Sequence, residues 1–67
     1  MAKIKYQVRY RNKGTKTFSF WCSYNDIADA AISADKLINR YGVQETIVVR
    51  VLTDEQVVYD NVNLYDD

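Results

Sequence analysis

The sequence predicts an α+β fold in the order β-β-α-β-β: a four-stranded antiparallel sheet with one helix packed on one face. Three observations carry it. Residues 3–11 alternate strictly between apolar and polar side chains, apolar residues recur at helical spacing from 27 to 41, and residues 45–52 form a second run rich in β-branched residues.

In the first strand Ile4, Tyr6, Val8 and Tyr10 share one face, and Lys3, Lys5, Gln7, Arg9 and Arg11 the other. Asn12-Lys13-Gly14 reads as a hairpin loop with Gly14 at its left-handed position. The register that suits the most pairs sets Val8 against Phe18, Tyr6 against Phe20 and Ile4 against Cys22 on the inner side. Lys5 then faces Trp21 on the outer side. Ser23 or Asn25 can cap a helix over about 25–41, and Ser23-Tyr24-Asn25-Asp26 resembles a capping box. The apolar stripe is 27, 30, 31, 34, 37, 38 and 41. Asp26 and Asp29 suit the helix start, Arg40 its last turn and Gly42 its stop. The stripe directs Ile27, Ala31, Ala34 and Ile38 against Tyr6, Val8, Phe20, Val49 and Val51.

In the third strand Ile47, Val49 and Val51 are expected toward the helix, with Val48, Arg50 and Leu52 on the open face. Asp54-Glu55 is expected to turn the chain into a fourth strand near 56–64. A two-residue loop pairs Val51 with Val58 but leaves Asp60 opposite Val49. A three-residue loop pairs Arg50 with Asp60 but buries Asn61. A bulge near Asp60-Asn61 repairs the first arrangement and turns Val62 and Leu64 inward. A right-handed crossover that sets strand three beside strand one gives the strand order 2-1-3-4.

Composition narrows function. A chain of 67 residues is one domain, 1–67. It has no His and one Cys, which excludes an internal disulfide, Cys/His zinc sites and His-based triads. No apolar run approaches a membrane span, and the Met-Ala-Lys start lacks a signal peptide's apolar stretch, so the expected location is cytoplasmic. The carboxylates sit in caps, turns and the terminus rather than in a pocket that would separate two pKa values. Cys22, on the inner face, reads as an ordinary small hydrophobe. The expectation is a binding module with no enzymatic activity, no cofactor and no metal.

Charge distribution points to the binding surface. Residues 1–24 hold Lys3, Lys5, Arg9, Arg11, Lys13 and Lys16 and no acid, whereas 25–67 hold nine acids against Lys36, Arg40 and Arg50. A basic open face carrying Trp21 suits a phosphate backbone with a base stacked on the indole. The same face, with Val48 and Leu52 among the charges and Val57 joining them if Asp54-Glu55 is a two-residue loop, suits a protein partner, and pairing with a second copy would add core to a small domain. The protein reading is preferred, with Lys5, Arg9, Arg11, Trp21, Val48, Arg50 and Leu52 as contact residues. Nucleic-acid binding by the basic hairpin is the alternative.

The Tyr6–Gly14–Phe20 hairpin, the Ala-rich Ile27–Tyr41 helix and the Thr46–Leu52 strand together resemble the build of small accessory proteins of bacteriophages and mobile elements, including anti-CRISPR-like inhibitors. No specific motif carries the resemblance. It implies a protein that occupies a surface of a larger protein without chemistry, in the host cell's cytoplasm.

Overall fold

Gly14 adopts φ 87°, a backbone angle that L side chains rarely take, and the Thr15 amide donates to the Asn12 carbonyl at 3.1 Å. The chain therefore reverses where the sequence predicts. A computed structural model describes residues 4–51 and 55–62. Its elements are β1 (Lys5–Arg11), β2 (Ser19–Tyr24), α1 (Ile27–Tyr41), β3 (Glu45–Val51) and β4 (Glu55–Val62). The sheet order is β2-β1-β3-β4, all antiparallel, as expected.

The hairpin register differs from the expected one. Pairing begins at Tyr10–Ser19 and continues through Arg9–Phe20, Val8–Cys22 and Tyr6–Tyr24, so residues 12–18 all belong to the connection. Trp21 is the extra residue between Phe20 and Cys22, and this bulge reverses the expected facing of both aromatics. Phe20 sits opposite Arg9 on the helix-free face and is 58% exposed, whereas Trp21 lies on the helix side. A strict period of two cannot anticipate an inserted residue.

The helix begins at Asp26, whose side chain accepts from the Ala28 amide at 2.9 Å, so Asp26 rather than Ser23 or Asn25 is the N-cap. It ends at Gly42, left-handed at φ 69°, with the Gly42 amide donating to the Ile38 carbonyl. Ala30, Ser33, Ala34, Leu37 and Ile38 are its buried residues. Ile27 is largely exposed, so the inner stripe is rotated slightly from the expected one.

The β3 phase is also the reverse of the expectation. Val8 pairs with Val48 and Tyr10 with Thr46, which sends Val48 and Thr46 under the helix and Ile47, Val49 and Val51 to the other face. Because Ile47, Val48 and Val49 are all apolar, alternation within β3 does not decide its facing. The partner strand does. Val8, Val48, Val43, Ala30, Ala34, Leu37 and Ile38 form the core, flanked by Tyr6, Tyr10, Tyr24, Val58 and Tyr59.

β4 pairs Val51 with Glu55, Val49 with Val57 and Val48 with Tyr59. Glu55 is already in the strand, so it is not part of the turn. The expected bulge exists but falls at Val58 rather than at Asp60-Asn61. It directs both Val58 and Tyr59 onto the core, whereas Val62, expected inward, pairs with Glu45 on the helix-free face and is 41% exposed. Lys3, Leu52, Asp54, Leu64 and the acids of the terminus lie outside the described residues.

Candidate functional site

Because paired residues in a sheet share a face, the helix-free face can be read across the strands. Its rows are Arg11–Glu45–Val62, Phe20–Arg9–Ile47–Asp60, Ser23–Gln7–Val49–Val57 and Lys5–Val51–Glu55. Cations stand on β1 and carboxylates on β3 and β4. Arg9 donates to Gln7 Oε1 at 2.7 Å and to Glu55 Oε2 at 3.1 Å. To reach β4 its side chain must cross β3 beside Val49, and Val49 is only 2% exposed although no helix covers it. The aliphatic stem of an arginine commonly shields apolar surface in this way.

Arg11 makes the second bridge. Its Nε and Nη2 donate to Glu45 Oε1 at 3.3 and 3.0 Å, while Nη1 donates to the Thr15 carbonyl at 3.0 Å. Next to this pair the Asp60 carboxyl is pushed above the usual carboxylate range. Partial desolvation is the largest cause, followed by its hydrogen bond with Glu45 and that group's negative charge; Arg11 pulls the other way. Lys5 donates from Nζ to Asn25 Oδ1 at 2.8 Å. Between these charges Phe20, Val57 (55% exposed) and Val62 (41%) stand open.

The seven expected contact residues therefore separate. Lys5, Arg9 and Arg11 share the helix-free face as expected. Val48 does not: it is fully buried beneath α1. Arg50 stands opposite Tyr6 on the helix side, donating to Gln56 Oε1 at 2.6 Å. Trp21 also leaves the face. Its ring meets Tyr10 edge-on, 6.1 Å between centroids, and Tyr41 at 5.9 Å, in place of the expected neighbour Lys5. Phe20, Val57 and Val62 take the places assigned to Trp21 and Val48. Phe20 was legible as an aromatic of the hairpin, but its facing depends on the bulge.

Trp21 instead helps line an open groove of about 390 Å³ between β2 and α1 that also includes Tyr24, Asp29, Ile32, Ser33 and Lys36. On the opposite flank Asp35 Oδ1 accepts from Tyr59 Oη at 2.7 Å and from Asn61 Nδ2 at 2.6 Å, joining α1 to β4. This raises the Tyr59 pKa: the hydrogen bond to Asp35 contributes most, then burial, then the carboxylate's charge.

Among the described residues no three Asp, Glu, Cys or His side chains form a metal-binding group, and no helix is long and apolar enough to cross a membrane. No family model, no curated protein and no solved structure matches the chain.

Proposed function

We propose that this chain is a non-catalytic protein-binding module whose contact surface is the helix-free face of the sheet. The observation that carries the reading is the composition of that face: Phe20, Val57 and Val62 are exposed among arginines that already have carboxylate partners within the chain. Clustered apolar side chains rimmed by charge are the usual make-up of an interface. Paired arginines suit it further, since their charge is met before a partner arrives. The resemblance of the sequence layout to small inhibitors of bacteriophages and mobile elements implies the same mode of action, occupation of a surface.

The nucleic-acid alternative draws on the cations of β1. It is weakened because Glu45, Glu55 and Asp60 stand on the same face, and a polyanion would have to approach them too.

A photo-crosslinking residue in place of Val57, compared with one in place of the exposed Asn39 on the outer side of the helix, tests the reading. Cross-links to protein are expected from position 57 and not from 39. Salt-sensitive binding to random-sequence duplex that is lost in Arg9→Glu, with no protein cross-link from 57, would refute it.

A further inference from the structure

We infer that the helix-free face is self-complementary and that a second copy of this chain is a partner it fits. The inference rests on the protein-binding reading above and names one occupant of the same surface.

The argument begins with charge. The described residues of the face carry Lys5, Arg9 and Arg11 on β1, and Glu45, Glu55 and Asp60 on β3 and β4. Cations and carboxylates balance, so two copies do not repel each other as two uniformly charged faces would. They are also segregated, and segregation selects one geometry. A two-fold axis lying between the two sheets and parallel to their strands sets β1 of each copy over β3 of the other, and β2 over β4. The Arg11–Glu45 bridge of each copy then stacks crosswise on the same bridge of its partner, each Arg11 over the partner's Glu45 as well as beside its own, and the apolar Ile47, Val49 and Val51 lie under the aliphatic stems of the partner's β1 side chains. An axis perpendicular to the strands would instead stack β1 on β1, cation over cation. A two-fold contact uses the same patch twice, so one favourable pairing is counted twice, as is one repulsion.

Size sets the strength. Four strands about 4.8 Å apart and about seven residues long give a footprint of about 19 by 23 Å. Two such faces bury together about 900 Å², below the roughly 1,200 Å² at which specific stable interfaces begin and in the range of weak, transient contacts. Self-association is therefore weak and concentration-dependent, and it competes with any other protein for the face.

Sedimentation equilibrium over a wide concentration range provides the test. The wild-type weight-average mass should climb from 7.8 kDa toward twice that value. Arg11→Glu and Glu45→Arg should each weaken association at least about tenfold, since each places like charges across the two-fold. Mixing the two variants should restore it, because the carboxylate introduced at position 11 of one copy then faces the guanidinium introduced at position 45 of the other, while the unaltered Glu45 and Arg11 meet in the second half of the contact.

Val57→Lys, at an exposed position without an ion pair, gives a second handle; it should abolish association while leaving the circular dichroism spectrum unchanged. A wild-type mass fixed at 7.8 kDa would overturn the inference, as would association indifferent to all three variants. A monomeric wild type that still cross-links from position 57 to other proteins would sink the second-copy inference alone; absence of every protein cross-link there would sink both.

Discussion

Replacing Asp35 with alanine removes one acceptor and leaves two donors. The Asp35 carboxylate oxygen that Tyr59 and Asn61 share lies at 2.7 and 2.6 Å from them. A hydrogen bond to a charged group contributes about 1.5–3 kcal/mol when well shielded. Here the groups are partly buried, so water can replace part of each bond, and about 2 kcal/mol for both together is the expected loss. Total stability for a chain of this size is only about 3–10 kcal/mol, so the change is readily measured.

Urea unfolding of Asp35→Ala, Tyr59→Phe and the double variant forms a cycle. Asp35 and Tyr59 should couple by about 1 kcal/mol. The pH dependence follows from the raised Tyr59 pKa. Its folded value lies above its unfolded one, so the contribution is fully present below the unfolded tyrosine value and is lost as pH rises through the folded value. Tyr59→Phe should therefore lack that alkaline loss. A change under about 0.5 kcal/mol in Asp35→Ala, or no coupling in the cycle, would mean that the contact does not tie the helix to β4.

Two further substitutions test the packing. Ile38→Ala empties a buried site under the sheet and should cost about 2–5 kcal/mol, whereas Ile32→Ala, 61% exposed on the outer side, should stay within about 0.5 kcal/mol; equal effects in thermal or urea denaturation would show that the helix is phased differently. Thr46→Val keeps the shape of a fully buried residue and removes a hydroxyl that has no hydrogen-bond partner among the described residues. It should therefore raise the unfolding midpoint, by about 1 kcal/mol in stability terms, and a loss of stability would indicate a hidden partner for that oxygen.

What was legible in the sequence follows from what local periodicity can encode. The turn at Gly14, the helix from its apolar stripe to Gly42, and the strand order 2-1-3-4 all follow from short-range patterns and chain-crossing rules. The facing of Phe20 and Trp21 does not, because one inserted residue in β2 exchanges inside and outside without disturbing composition. The phase of β3 was undecidable from β3 alone, since Ile47, Val48 and Val49 suit either side; the choice is made by Val8 across the strand pair. Asp35 carried no signal as a contact of β4. An acid beside the buried Ala34 finds its partners only after the Val58 bulge has turned Tyr59 toward the helix. The candidate face was thus located through its charged β1 residues; of its exposed apolar members only Val57 was expected there, and only on a two-residue loop, while Phe20 and Val62 were expected inward.

The two bulges share one further property: both inserted residues, Trp21 and Val58, lie on the outermost strands of the sheet. A flat, regular outer strand is a template for another chain's backbone, and a bulged one twists its free amides and carbonyls out of line. Each margin of this small sheet therefore resists lateral extension. Without proline anywhere in the chain, these irregularities stand as a guard against fibrous growth. They favour encounters across the broad face, where side chains rather than backbone determine which molecules fit.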